Sequence, residues 1–182
     1  MNWSETSIAR ALATQYFNRK YLAVVPNCSW PGSECDVLCL TENLRIIDVE
    51  IKISRSDLKA DAKKDKWWKR GDWRYEMVNG VQRYHSRPRI DLEWPQQVWK
   101  HYYALPAEIW RPELFAALPS TASGVLLLTA VDGRVYIECA RQAKPCKDAK
   151  PISAAAAVDI ARLASLRMWD SYRQLDEMRR AA

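Results

Sequence analysis

Two short apolar runs, each interrupted by carboxylates, constrain this chain more than any other feature. The first is Cys35-Asp36-Val37-Leu38-Cys39-Leu40 and the second Arg45-Ile46-Ile47-Asp48-Val49-Glu50-Ile51-Lys52-Ile53, with the turn-like Thr41-Glu42-Asn43 between them. Their composition and spacing predict two strands paired as a hairpin. Side chains alternate along a strand, so Asp48, Glu50 and Lys52 share one face while Val49, Ile51 and Ile53 share the other. The odd-numbered face is expected to pack on a helix. Ionisable groups in such strands are costly unless they act together.

Thirteen residues separate Asp36 from Glu50-Ile51-Lys52. An Asp, a Glu and a Lys at this spacing suit a hard divalent cation. Mg²⁺ takes oxygen ligands and keeps several waters, so two carboxylates suffice. The ion can polarise a phosphoryl oxygen and acidify a bound water, and an ammonium beside it can hold that water or offset charge developing on phosphate. The bland alternative is a structural ion pair between Lys52 and one carboxylate at a strand end.

The pattern resembles the PD-(D/E)XK nuclease superfamily, with its restriction-endonuclease-like fold. Ser33-Glu34-Cys35-Asp36, Asp48-Val49-Glu50-Ile51-Lys52-Ile53-Ser54, Ser56-Asp57-Leu58-Lys59-Ala60-Asp61 and Lys66-Trp67 are similar to the MmcB family, whose members are assigned to DNA repair. Tyr102-Tyr103-Ala104-Leu105-Pro106 resembles that family's fourth strand. Gly124-Val125-Leu126-Leu127 with Gly133-Arg134-Val135 resembles its closing hairpin. The likeness runs from about Ile8 to Met168. It is broken by an insertion from about Arg70 to Pro95, and Cys35 stands where the superfamily often has Pro before the Asp. The resemblance implies that Asp36 and Glu50 ligate Mg²⁺ or Mn²⁺, that the Ile51 carbonyl completes the shell, and that Lys52 positions the attacking water.

A length of 182 residues suits one domain with a real core. No apolar run approaches the roughly 20 residues that span a bilayer. Met1-Asn2-Trp3-Ser4-Glu5 lacks the zones of a signal peptide, and five cysteines fit a reducing compartment, so a cytoplasmic location with no membrane association is expected. The formal charge is +6, consistent with a polyanionic partner. Lys59, Lys63, Lys66 and Arg70 follow helical spacing directly after the candidate strand. They can meet DNA phosphates or form a solvated lysine face.

In chain order the sequence predicts a helix from Ser4 to Arg19 capped by Ser4 and a strand from Tyr21 to Val25 ending at Pro26. The two candidate strands follow, then a basic helix from Ser56 to Lys69. A strand Trp99–Leu105, a short helix Pro112–Leu118, a strand Gly124–Ala130, a turn at Asp132-Gly133 and a return strand Val135–Ala140 come next. A long helix from Ser153 to Arg179 closes the chain, with Val158, Ala161, Leu163, Leu166, Trp169 and Tyr172 in its apolar stripe. The expected class is α/β: a restriction-endonuclease-like core, a central mixed sheet flanked by helices, an inserted hairpin arm and a long C-terminal helix, all one domain.

Within the insertion, Trp73–Val78 and Val81–His85 flank Asn79-Gly80, a strong hairpin signal. Arg74, Arg83, Arg87 and Arg89 interleave with Trp73, Tyr75 and Tyr84. Aromatic faces stack on unpaired bases and guanidinium groups bind phosphate, so the arm can grip single-stranded or distorted DNA. It can equally extend the sheet or make a dimer contact.

Accessory ligand candidates are Glu5, Gln15 and Glu34. Glu5 also suits the dipole of the first helix, Gln15 a surface role, and Glu34 the entrance to its strand. Asp48 can support the site or pair with Arg45. Asp57 and Asp61 are four apart, and intrahelical pairing with Lys64 or Lys66 is their simpler account. His85 and His101 lie far from any nucleophile signature, no Gly-rich phosphate loop is present, and Cys28, Cys35, Cys39, Cys139 and Cys146 contain no C-x2-C pair. Cys35 and Cys39 read as small buried residues opposite the Asp36 face. The sequence therefore points to a metal-dependent nuclease in DNA repair or processing, with possible homodimerisation. The alternatives are a catalytically silent DNA- or protein-binding module on the same fold, and a phage or mobile-element protein whose nine tryptophans serve an interface.

Overall fold

A computed structural model describes residues 2–85 and 87–181, with the side chains of Arg74, Tyr84 and His85 outside the described residues. The first helix, α1 (Glu5–Ala11), begins where Ser4 predicts. The Ser4 hydroxyl accepts from the Ser7 N–H at 3.2 Å while the Ser7 hydroxyl accepts from the Ser4 N–H at 3.0 Å. The α ladder does not reach Arg19. Leu12–Tyr16 widen into a π turn that the Phe17 N–H closes on the Leu12 carbonyl, next to a Thr14 hydroxyl that donates to the Arg10 carbonyl.

Six strands form the central sheet: β1 (Ala23–Cys28), β2 (Cys35–Leu40), β3 (Ile46–Ile51), then, after the insertion, Val98–Pro106, Gly124–Val131 and Arg134–Arg141. β1 pairs antiparallel with β2, and β2 with β3 from Val37 opposite Val49 to Leu40 opposite Ile46, as the hairpin reading expects. Pro26 does not end β1. It lies within the strand, which is tolerated because β1 is a sheet edge.

Between β3 and the strand beside it the chain crosses over. The expected basic helix is instead α2 (Arg55–Ala60), then 3₁₀ turns at Asp61–Lys63 and Asp65–Trp67, with Lys64 extended at φ −65°, ψ 146°. The chain then enters β4 (Trp68–Arg70), β5 (Arg74–Val78), β6 (Val81–His85) and β7 (Arg89–Asp91). β5 and β6 form the hairpin predicted around Asn79-Gly80, whose φ values of 52° and 76° suit the tight turn. β4 and β7 pair as a separate ribbon at its base. β8 (Val98–Pro106) then runs parallel to β3, and β9 (Gly124–Val131) parallel to β8. β10 (Arg134–Arg141) returns antiparallel through the Asp132-Gly133 turn. A six-residue 3₁₀ stretch, Pro112–Ala117, stands where a short helix is predicted.

Ile8 and Leu12 pack on Val37, Cys39, Ile47, Val49 and Ile51, so α1 covers the odd-numbered face of β3. The other face carries two apolar clusters. In one, Ile152 and Ile160 meet Leu38, Leu40, Ile46 and Cys35; in the other, Leu58 of α2 meets Trp67, Tyr103 and Leu105. Cys35 therefore lies with Leu38 rather than with Cys39, contrary to expectation. The last helix, α3 (Ala154–Ala181), contacts the sheet through Ile160, Leu163, Ala156 and Ala157. The expected stripe is mostly exposed: Val158, Leu166, Trp169 and Tyr172 face outward. Arg167 fastens the middle of α3 by donating to the carbonyls of Pro26 and Asn27. No helix among the described residues is long and apolar enough to cross a membrane.

Candidate active site

The face of β3 opposite α1 begins apolar at Ile46 and becomes charged at Asp48 and Glu50, and both carboxylates are buried. Each is met by lysines delivered from the irregular crossover. Lys66 places its ammonium 3.1 Å from Asp48 Oδ2 and 2.5 Å from Glu50 Oε1. Lys52 and Lys64 both reach Glu50 Oε2 at 2.9 Å. The same two lysines reach Asp61 Oδ1 at 2.9 Å. Three buried carboxylates (Asp48, Glu50, Asp61) thus face three ammonium groups.

Asp61 owes its place to the break in the helix. The Ser54 hydroxyl caps α2 by accepting from the Asp57 N–H. One turn later Asp61 leads into the 3₁₀ turn with its carboxylate pointing inward. Tyr103 donates to Asp61 Oδ2 at 2.6 Å and the Trp67 indole at 3.1 Å, so Asp61 fixes both Lys52 and the aromatic wall. His101 lies between the Trp67 and Tyr103 rings, edge to face with each. Its Nε2 is 3.4 Å from the Lys66 ammonium and its Nδ1 3.0 Å from the Ser123 hydroxyl.

Opposing forces set the ionisation of this cluster. Burial pushes Glu50 upward, but Lys66 and Lys52 outweigh it and hold the carboxyl below its usual range. Burial likewise acts against ionised Asp61, and Lys66, Lys52 and the Tyr103 hydroxyl together lower it. For Asp48 burial prevails over Lys66 and raises the carboxyl, which also meets the Cys35 thiol. Burial and the neighbouring Lys66 keep His101 neutral, well below its ordinary value.

Asp36 differs from these three. The ladder between β2 and β3 stops at Val37–Val49. One position further, Asp36 fills the gap and its Oδ2 accepts from the Ile51 N–H at 2.7 Å. Among the described residues no cation lies within ion-pair distance of it. Burial first, and the Glu50 charge second, raise it to about 6, against smaller downward effects from the Ile51 N–H, Lys52 and Lys64. Asp36 also borders a cavity of about 300 Å³ lined by Glu5, Ala9, Arg10, Val24 and Ile51.

The structure therefore brings together Asp36, Glu50, Ile51 and Lys52. Glu5 lines the same cavity as Asp36 and Ile51. Gln15 does not: it lines a separate hollow with Thr14 and Arg134. Glu34 is exposed ahead of β2. Asp48 pairs with Lys66 instead of Arg45, which donates to the Ala149 carbonyl. Of the basic residues expected on one helix face, Lys59 and Lys63 are exposed, Arg70 lies in β4, and Lys66 points inward onto Glu50, because Lys64 breaks the helix. Lys66 is thus part of the ion cluster rather than a surface contact for phosphate. Arg83 is exposed on β6, and the Arg74 side chain lies outside the described residues.

His101 and Tyr103 carry no local motif. Their signal is positional: on a strand parallel to β3 they stand opposite Asp48 and Glu50 and share that face. Asp61 and Lys64 were visible in sequence as an i, i+3 pair, but not as partners of Lys52 and Glu50. Among the described residues no three Asp, Glu, His or Cys groups cluster as ready metal ligands.

No protein-family model and no curated protein matches this chain. A solved structure of a protein of unknown function from Silicibacter pomeroyi is similar in fold, with a TM-score of 0.53 and 21% identity over 98% of this chain and 94% of that one.

Proposed function

We propose that this chain is a divalent-metal-dependent phosphodiesterase of the PD-(D/E)XK type, with a restriction-endonuclease-like core, that cuts DNA during repair or processing. One observation carries the reading. Asp36 is a half-buried carboxylate opposite Glu50, with no cation within ion-pair distance among the described residues, bordering a cavity, while the three carboxylates behind it are matched by three lysines. Such an unbalanced carboxylate at the mouth of a strand pair suits a hard cation that keeps its own waters.

The donor set fits Mg²⁺ or Mn²⁺. Asp36 Oδ1, Glu50 and the Ile51 carbonyl are the groups that would hold it, with Glu5 in reach of the same cavity. Bound there, the ion would polarise a phosphoryl oxygen and acidify a water. Lys52 would hold the attacking water and offset phosphate charge, because Asp61 and Glu50 fix its ammonium from two sides. Lys64 is the movable member: its side chain is 47% exposed, so it can leave Glu50 for a phosphate as the substrate arrives. Exposed Lys59, Lys63, Arg70 and Arg83 support a nucleic-acid substrate.

A second reading has its own observation. Glu50 already holds three ammonium groups, an arrangement that also suits a catalytically silent binding module. Cleavage of labelled single-stranded, duplex and branched DNA in Mg²⁺ or Mn²⁺ separates the two. The wild type should cut, while Asp36→Asn and Lys52→Met, both checked for folding by circular dichroism, should lose about 10²-fold or more. DNA binding without cutting by the wild type would select the binding module.

A further inference from the structure

The cavity at the mouth of β2 and β3 is larger than a cation site needs. It holds about 300 Å³, at the small end of the range for ligand sites, and Asp36 and Ile51 contribute to its lining. Ala9 of α1 and Ala13 of the π turn, with Val24 and Pro26 of β1, give it an apolar surface. Ala9, Ala13 and Val24 are each half-buried, so part of every one of these side chains faces the opening.

Local structure keeps this space clear. Glu5, Ala9 and Ala13 follow one another four apart along the helical chain and all border the cavity. The π turn at Leu12–Tyr16 widens the backbone where Ala13 meets the opening, a device common at functional sites. Alanine at both positions leaves room that a larger side chain would fill. Pro26 and Asn27 also line the cavity. Asn27 adopts a φ of 49°, which Asn tolerates, and the carbonyls of Pro26 and Asn27 both accept from Arg167 of α3. The last helix therefore fastens this part of the lining.

Charge divides the wall made by the helix. Glu5 and Arg10 both line the cavity, about 7.5 Å apart along the axis. Glu5 suits a cation at Asp36, whereas Arg10 suits an anion. Arg10 is exposed, and among the described residues its guanidinium makes no hydrogen bond or ion pair, so its fork is open to a phosphate. An apolar space for one ring system, bordered by a guanidinium and by the carboxylate proposed to serve hydrolysis, matches the chemistry of a nucleotide. A stacked base pair is too large for the space, so the base must come from a strand end or an unpaired position.

We propose that this cavity takes one unpaired nucleotide of the substrate strand, its base against Ala13 and Val24 and its phosphate on Arg10. This deepens the reading above and rests on it for the class of substrate. Arg10 is then a binding residue, and the small side chains of Ala9 and Ala13 set the size of what enters.

The test is calorimetric titration of the whole chain, in Mg²⁺, with deoxythymidine 3′,5′-bisphosphate and with inorganic pyrophosphate. The wild type should bind the nucleotide more tightly than pyrophosphate. Ala13→Leu should weaken the nucleotide about tenfold or more, because the added side chain overfills the base site. Pyrophosphate should change less than about twofold in that variant, since it needs only the cationic groups. Ala13→Ser, which nearly conserves volume, should stay within about threefold of wild type for both. Arg10→Ala should weaken both ligands about tenfold. Its position is exposed, so it keeps the test decisive if Ala13→Leu misfolds. Unchanged nucleotide affinity in either Arg10→Ala or a folded Ala13→Leu overturns the proposal. So does equal weakening of nucleotide and pyrophosphate in Ala13→Leu, or a wild type that binds the nucleotide no better than pyrophosphate. DNA cleavage keeps the two readings apart. Asp36-dependent cutting, with nucleotide binding indifferent to Ala13→Leu and Arg10→Ala, would keep the nuclease and remove the nucleotide site. Nucleotide binding that depends on both residues, in a protein that cuts no DNA, would sink the nuclease reading and leave the site standing.

Discussion

Asp36 costs the folded protein stability at neutral pH. Its ordinary value of 3.8 is raised to about 6 by burial and by Glu50. The native state therefore binds this proton more tightly than the unfolded chain, and stability falls as pH rises from about 4 to about 6. Asn cannot ionise and still accepts from the Ile51 N–H. Asp36→Asn should thus raise stability at pH 7.5 by about 1–2 kcal/mol, discounted for the partial exposure of the carboxylate, and the gain should vanish near pH 4. Thermal unfolding across that range checks it; a destabilised Asp36→Asn at pH 7.5 would contradict the electrostatics. Asp61 behaves oppositely. It binds two ammonium groups, a tyrosine hydroxyl and an indole N–H. Asp61→Ala should cost about 3–5 kcal/mol, because buried donors and charges are stranded. Asp61→Asn should cost less, since the amide oxygen still accepts from Tyr103 and Trp67. Urea unfolding of the pair measures the difference.

At the scale of elements, β2 and β3 were legible because alternation and a turn suffice to specify a hairpin, and its even face carried the charge. Both tight turns, at Asn79-Gly80 and Asp132-Gly133, were legible for the same local reason: positive φ at both central positions. The crossover was not. Lysines at helical spacing read as one basic helix, yet Lys64 is extended and Lys66 turns inward, because buried Glu50 and Asp48 draw them off the helix. His101 and Tyr103 were illegible because their role depends on which strand lies beside β3, a long-range fact. The stripe of α3 misled in the other direction: periodicity shows an apolar face but not whether anything covers it. Only the first half of α3 meets the sheet. Removing residues 168–181 should therefore shift the unfolding midpoint by no more than a few degrees. Ile160→Ala, which empties a buried site, should cost about 2–4 kcal/mol. Calorimetry of the two variants tests that division; equal losses would show that the exposed half of α3 carries structural weight.

Most charge of both signs lies on the surface of the molecule, around a buried cluster of carboxylates and lysines. Asp48, Glu50 and Asp61 are buried, whereas Lys59, Lys63, Arg70 and Arg83 are exposed, within a net charge of +6. DNA affinity should fall steeply with salt, and each exposed cation removed should flatten the log–log slope by about one. Fluorescence anisotropy of Lys59→Ala and Arg83→Ala across salt concentrations reads this directly. The mixed six-stranded sheet with helices on both faces carries the candidate site at one strand mouth, where β2 and β3 separate around Asp36. Whether that mouth takes a cation is the central claim. Titration of Mn²⁺ into the wild type and into Asp36→Asn, followed by electron paramagnetic resonance at pH 5 and pH 7.5, tests it most directly. The account predicts one Mn²⁺ per chain at pH 7.5, weaker binding at pH 5 where Asp36 holds its proton, and loss of the site in Asp36→Asn. No binding by the wild type, or the same binding in both proteins, would contradict it.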